Sequence, residues 1–218
     1  MKKAILFVMV AVLVFSQMSV FATSTVPGTV YSDETAAGAT KPVVEIAAEL
    51  EQAGVQDIEP TDWFAGSVTV LIEEGLMTPD ENGNFNPQAT LDTGTGVAVF
   101  AKVLGIAEAN DTPEEALQKA QNAGFVEEAA TQEEDLSRLG VAKMLAKALG
   151  LTITPVTSQA GFPFNEFEGL TPEERGIMLA LYNRGVFRGY TDGSFRPTNT
   201  LTKAELALLV DRLITQQG

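Results

Sequence analysis

Residues 185–205 read GVFRGYTDGSFRPTNTLTKAE, and this stretch decides how the chain folds. An amphipathic segment precedes it and ends at Gly185, where a helix C-cap commonly stands. Asp192 and Gly193 then form a polar turn, because Asp tolerates tight geometry and Gly adopts positive φ without steric cost. A Phe-x-Pro segment follows, and Leu201 leads into another helix. The stretch therefore predicts a helix, a loop and a second helix.

The same pattern occurs earlier in the chain. Residues 75–91 align with residues 185–201 at an offset of 110, without a gap. The identical aligned positions include Gly75 and Gly185, Gly83 and Gly193, Phe85 and Phe195, Pro87 and Pro197, and Leu91 and Leu201. Glycine and proline each restrict or permit particular backbone conformations, so the two segments should share one conformation.

A shortened copy lies between these two. Thr112-Pro113-Glu114-Glu115 begins a helix that Gly124 ends, and a second helix follows Leu136. Gly124 and Leu136 are 12 positions apart, whereas the matching glycine and leucine are 16 apart in the other copies. The turn with its Asp-Gly pair is missing here, so the middle copy should have a shorter loop.

The predicted fold class is all-α, built from three helix-loop-helix repeats. A unit of roughly 50 residues cannot bury its apolar face alone, so the three repeats should pack as one body. A short additional helix is predicted from Val43 to Leu50, ending at Gly54. The repeat helices are predicted at Trp63–Glu74, Thr93–Leu104, Pro172–Asn183 and Lys203–Ile214, with the middle pair beginning at Thr112 and Leu136 and ending at Gly124 and Ala148.

The last repeat helix begins with a capping motif. Thr202 and Glu205 have the spacing of a capping box, in which hydroxyl and carboxylate accept hydrogen bonds from free N–H groups. Lys203 lies between them, beside the positive end of the helix dipole. A cation at this place suits an anionic group such as a carboxylate.

These strings resemble the S-layer homology repeat. That family has a Gly-(apolar)₂-x-Gly-Tyr-x-Asp-Gly-x-Phe-x-Pro loop followed by Ile-Thr-Arg-Ala-Glu, which residues 201–205 match with Leu for Ile and Lys for Arg. The first copy adds the family's opening pattern through Val55, Asp57, Ile58 and Trp63. The resemblance covers residues 55–214.

The resemblance implies an architecture and a function. Three such repeats would form a pseudo-threefold prism, with grooves between units that hold an anionic, often pyruvylated, cell-wall polysaccharide. The basic residue of the motif would contact the acid, which selects Lys203 and Arg138. Trp63 would stack on a sugar ring, and Asp192 and Gly193 would line the groove.

Simpler interpretations stand beside these assignments. Trp63 at a helix start suits an anchor in the core, and the pair at 192–193 suits a turn with no ligand. The motif also departs from the family: it reads LDTGT at 91–95, without a cation, and LSRLG at 136–140, without the capping glutamate. At most two of three grooves are therefore expected to bind.

The amino terminus predicts export. Lys2 and Lys3 precede an apolar run of about a dozen residues, shorter than the roughly 20 that span a bilayer. The predicted organisation is a signal peptide at 1–22, a flexible leader at 23–40, and repeats at 41–105, 106–151 and 160–218. The mature protein is expected to be secreted, at the cell wall or cell surface, without membrane insertion.

Composition excludes several chemistries. The chain has no His and no Cys, which removes catalytic triads based on His and zinc sites based on either residue. The formal net charge of -15 disfavours nucleic acid as a partner. Asp80, Asn82 and Asn84 resemble a calcium loop, but Phe85 and Leu91 occupy positions that need Gly and Glu. No cofactor or metal is expected.

Three functional hypotheses follow. The first is a non-enzymatic module that binds cell-wall polysaccharide. The second is a structural S-layer or envelope subunit that self-assembles or binds another envelope protein, with glycan binding lost. The third is a glycosidase with two carboxylates, for which no pair is singled out by spacing.

Overall fold

The structure is a computed structural model, and it describes residues 41–128 and 130–216. The predicted signal peptide and leader lie outside the described residues. The described part contains seven helices and no strand beyond isolated β-bridges, so the all-α prediction is confirmed. The helices are α1 Val43–Ala53, α2 Ala65–Glu73, α3 Thr93–Val103, α4 Pro113–Asn122, α5 Arg138–Ala148, α6 Pro172–Asn183 and α7 Lys203–Thr215.

Local sequence explains where these helices begin. Capping boxes open α4, α6 and α7, and in α4 and α6 a proline occupies the first turn, where its missing N–H costs nothing. The α2 helix begins two residues later than predicted. Its start is displaced because residues 59–65 form a turn, in which the Ala65 N–H donates to the Asp62 carbonyl at 3.0 Å.

The helices pair across repeat boundaries. The first helix of each repeat packs against the second helix of the repeat before it, which pairs α4 with α3 and α6 with α5. The α2 helix of the first repeat packs against α7 of the last, and a buried hydrogen bond of 2.8 Å joins Ser67 Oγ to Asp211 Oδ2 at this contact. The three pairs therefore form a closed cycle.

Three leucines connect the repeats at the centre of this cycle. The N–H of Leu91 donates to the carbonyl of Leu201, that of Leu201 to Leu136, and that of Leu136 to Leu91, at 2.9–3.0 Å. All three side chains are buried. These residues precede α3, α5 and α7, so one buried triangle of backbone hydrogen bonds holds the starts of three helices.

The same threefold pattern continues into the helix starts. The first N–H group of each second helix donates to a carbonyl two residues before the leucine of the neighbouring repeat: Thr93 to Glu134, Arg138 to Asn199 and Lys203 to Ala89. Free N–H groups at helix starts need partners, and here a neighbouring repeat supplies them. The contacts follow a threefold pattern, while the prism as a whole stays a prediction.

Two helical glycines permit close packing between elements. A Cβ at Gly176 in α6 would lie 2.4 Å from the carbonyl oxygen of Thr154, and a Cβ at Gly96 in α3 would lie 2.2 Å from Leu136 Cδ2. At Gly176 the neighbouring atom belongs to the backbone and cannot yield, whereas at Gly96 the Leu136 side chain would have to move. The two close approaches position the segment after α5 and the central leucine of the middle repeat.

None of the helices in residues 41–128 and 130–216 is long and apolar enough to cross a membrane.

Candidate ligand-binding site

Each repeat has a second helix, and the first residue of that helix has the same backbone contacts in all three repeats but a different side chain. These positions hold Thr93 in α3, Arg138 in α5 and Lys203 in α7. Each directs a side-chain donor at a backbone carbonyl of the neighbouring repeat. Thr93 Oγ1 donates to Glu134 O at 2.9 Å, Arg138 Nε to Phe195 O at 2.8 Å, and Lys203 Nζ to Phe85 O at 3.0 Å.

Lys203 is half-buried at the junction between the last repeat and the first. Its ammonium lies 5.6 Å from the centroid of the Phe85 ring, in addition to its bond to the carbonyl of that residue. Among the residues that the structure describes, Lys203 has no carboxylate partner. The ammonium retains donor capacity for a further anionic group, since a Lys carries three N–H donors.

Arg138 is placed differently, because its side chain is 2% exposed. Its Nη1 donates to Glu205 Oε1 at 3.2 Å, and its Cζ lies 4.7 Å from the centroid of the Tyr190 ring. The rings of Phe187 and Phe195 lie within 5.3 Å of the same atom. The guanidinium is thus enclosed by protein and neutralised by an internal carboxylate.

Glu205 has two functions in this cluster. Its Oε2 accepts from the Thr202 backbone N–H at 3.0 Å, while the Thr202 hydroxyl accepts from the Glu205 N–H at 3.2 Å, which forms the capping box of α7. Its Oε1 accepts from Arg138 and from the Tyr190 hydroxyl. The capping glutamate therefore also binds the cation of the preceding repeat.

The corresponding place around Lys203 has different side chains. The 110-residue offset aligns Tyr190 with Asp80, and the motif position of Glu205 is Thr95 in the first repeat. Asp80 binds its own loop through the N–H groups of Asn82 and Asn84 at 2.8 and 2.9 Å. Lys203 consequently lacks the carboxylate and phenol that enclose Arg138.

Asp192 and Gly193 form the turn that the sequence predicted as one alternative. Hydrogen bonds from Ser194, and then the Arg196 guanidinium at 3.0 Å, lower the pKa of the Asp192 carboxyl to about 2. Gly193 has φ 79° and donates its N–H to the Tyr190 carbonyl at 2.9 Å. Because Arg196 also lies over the Tyr190 ring, at 3.9 Å, this turn connects with the Arg138 cluster.

Trp63 lies apart from that turn, just before α2. It packs half-buried against the hydrophobic core, and its ring meets Phe64 edge to face at 5.1 Å between centroids. This placement matches the core-anchor alternative in part, since Trp63 is only partly buried. Of the predicted binding residues, the structure thus brings Arg138 together with Asp192 and Gly193, and places Lys203 at a different junction.

Two carboxylates contact the Phe-centred loops, and this role was not predicted from the sequence for either. Asp57 accepts from the N–H groups of Phe85 and Asn86 at 2.8 and 2.7 Å, and Glu166 accepts from those of Phe195 and Arg196. Each Phe backbone is therefore bound by a carboxylate on its N–H and by a cation on its carbonyl. The sequence carried a signal for Glu166, because Phe164-Asn165-Glu166-Phe167 repeats the Val55–Ile58 pattern with Glu for Asp.

The comparisons with known proteins agree with this architecture. The family model of the S-layer homology domain matches residues 56–92 and 170–207, which contain both Phe-centred loops. Two regions of the chain therefore match the S-layer homology domain, and the resemblance predicted from the sequence is confirmed.

Three bacterial S-layer proteins are among its relatives. The S-layer protein of Bacillus thuringiensis subsp. finitimus is 25% identical over 74% of this chain and 21% of its own length. S-layer protein EA1 of Bacillus anthracis is 23% identical, and the S-layer protein of Bacillus licheniformis 22%, each over 71% of this chain and 19% of its own length. The chain spans about a fifth of the length of the curated relatives it matches.

Proposed function

We propose that this protein attaches non-covalently to the cell wall by binding an anionic cell-wall polysaccharide. S-layer homology domains and S-layer relatives support association with the cell surface, and a binding or structural role rather than catalysis. The protein is proposed to act outside the cell, where such a polymer is accessible. Other envelope proteins are secondary partners.

The observation that carries this proposal is the state of Lys203. Its ammonium is half-buried at the N-terminus of α7 without a carboxylate partner among the described residues. The helix dipole and the ammonium both favour negative charge at this point. An acidic sugar substituent would therefore gain a charge-assisted hydrogen bond there.

Arg138 takes a supporting part in the proposal. Glu205 already supplies its carboxylate, so a glycan acid would have to displace an internal ion pair. The neighbouring Asp192 turn is proposed to contact sugar hydroxyls, and Trp63, which is partly buried elsewhere in the first repeat, to stack on a sugar ring. The junction at Lys203 is thus ranked first, and that at Arg138 second.

Co-sedimentation with purified cell-wall sacculi tests the proposal. The protein from residue 23 onward should pellet with intact sacculi and stay in solution when acid extraction has removed the attached polysaccharide. Lys203→Ala should weaken binding at least tenfold, and Lys102→Ala, which removes one positive charge from α3, should leave it unchanged. Equal pelleting of wild type and Lys203→Ala would contradict the proposal.

A second candidate is an envelope subunit that self-assembles. It is favoured by the exposed apolar start of α1, where Val43 and Val44 are 52% and 78% exposed. Sedimentation velocity would show oligomers that a Val43→Ser, Val44→Ser double variant converts to monomers. If this second candidate is correct, the wild-type protein should not pellet with sacculi.

A further inference from the structure

A pocket of about 780 Å³ lies beside the shortened loop of the middle repeat. Its walls come from the loop after α4, most of the length of α5, the segment after α5 and the first half of α6, and residues of α3 and of the loop before α7 complete the lining. The equivalent loops of the other repeats are four residues longer between glycine and leucine. The volume lies in the range of sites that bind small molecules or a few peptide residues.

The floor of the pocket is apolar. Its hydrophobic residues come from all the surrounding elements: Val97, Phe125, Val126, Leu136, Leu139, Met144, Leu151, Ile153 and Ile177. Phe125 and Ile153 are among those only partly buried by the protein itself, so a ligand would remove further apolar surface from water. The floor therefore favours a ligand with apolar groups.

The rim carries an excess of negative charge. Glu127, Glu134, Asp135 and Glu173 are exposed at the rim and have no lysine or arginine partner in the described part of the chain. Glu174 is different, because Lys143 pairs with it at 2.8 Å. The exposed Lys147 also lines the pocket, so five carboxylates face two lysines and the lining stays negative. The rim is also held in position, since the Glu134 carbonyl accepts both donors of Thr93 at 2.7 and 2.9 Å.

This charge restricts the kind of ligand. A polyanionic wall polymer would be repelled by the rim, and so would a second copy of this chain, whose net charge is -15. A metal ion is disfavoured as well, because the described residues contain no group of three or more His, Cys, Asp or Glu side chains that could hold one. A cationic ligand with apolar groups remains.

We propose that this pocket binds a short protein segment that combines apolar side chains with lysine or arginine. Apolar residues would occupy the floor, and the cations would pair with the carboxylates at the rim. This site differs from the Lys203 junction in position and in the sign of its charge, so one partner would not exclude the other. The proposal is independent of glycan binding.

Fluorescence anisotropy with a labelled peptide KLVKLV tests this assignment, with ELVELV as the peptide of opposite charge. The basic peptide should bind the full mature chain, and binding should weaken at least tenfold from about 0.05 M to 0.5 M salt because the rim charges become screened. The acidic peptide should not bind.

Three variants localise the binding. Thr198→Trp, at an exposed position of the rim, should abolish binding by blocking the pocket, and Glu134→Gln should weaken it about threefold, as expected for one exposed ion pair. Glu133→Gln removes the same charge next to the pocket without lining it, and should have no effect.

Several results would overturn the proposal. These are equal binding of both peptides, no binding of the basic peptide, or an unchanged affinity in Thr198→Trp. Loss of sacculus binding in Thr198→Trp would identify a glycan as the occupant, and loss of a dimer would identify a second copy. Failure of the Lys203 experiment alone would leave the peptide result standing.

Discussion

The neighbouring repeat determines whether a cation at the start of a repeat's second helix is paired with a carboxylate. Arg138 and Lys203 occupy equivalent positions and bind equivalent carbonyls, yet only Arg138 has a carboxylate partner. Its partner Glu205 is 67 residues away in sequence. The repeat motif identified both basic residues as binding candidates. It could not show which of them has a carboxylate partner, because that pairing depends on how neighbouring repeats pack.

Removal of Arg138 is expected to destabilise the fold strongly. Arg138→Met leaves Glu205 buried without its cation, and loss of one partner of a buried pair costs about 3–5 kcal/mol. The free energy of unfolding from urea titration measures this. Lys143→Met is the matched control on the same helix, because its pair with Glu174 is partly exposed and contributes about 1 kcal/mol or less. Equal losses in both variants would contradict the buried-pair interpretation.

The elements themselves were predictable where caps and periodicity agree. The predicted bounds of α6 are the observed ones, because Thr171 and Glu174 cap its start and Gly185 follows its end. The segment 151–171, which has no helix in the structure, was not anticipated as a packing element. Its position depends on Gly176, and a sequence does not show which helical glycine has backbone against it.

Gly176→Ala is therefore expected to destabilise the protein. A Cβ would lie 2.4 Å from the Thr154 carbonyl oxygen, and backbone cannot yield as a flexible side chain does. Overpacking of this kind costs about 1–3 kcal/mol. Gly66→Ala in α2 is the control: its Cβ would meet only Ile46, at 3.4 Å or more, and replacing a helical glycine stabilises by up to about 1 kcal/mol. In thermal unfolding, the midpoint temperature of Gly176→Ala should fall below that of the wild type, and that of Gly66→Ala should rise above it.

At the scale of the molecule, the closed cycle of helix pairs makes each repeat dependent on both others. The sequence predicted that repeats must pack together, since none can bury its own apolar face. It did not predict the order of contacts, or the triangle of Leu91, Leu136 and Leu201 at the centre. Backbone hydrogen bonds between distant repeats have no side-chain signature.

This dependence predicts a single cooperative unfolding transition. Trp63 is the one tryptophan of the chain and lies in the first repeat, so its fluorescence reports on that repeat, whereas far-ultraviolet circular dichroism reports on all helices. The two midpoints in urea should coincide, and Gly176→Ala in the last repeat should shift both equally. Separate midpoints would mean that the repeats unfold independently.

The contact of α2 with α7 has a mechanical consequence. The α2 helix of the first repeat touches the α7 helix of the last, so a pull between residues 65 and 215 loads this one junction directly. Beyond side-chain packing, the junction contains the buried bond between Ser67 and Asp211. A load between Lys203 and Thr215 would instead pass along α7, the helix that bears this cation, and would leave the closing contact unloaded.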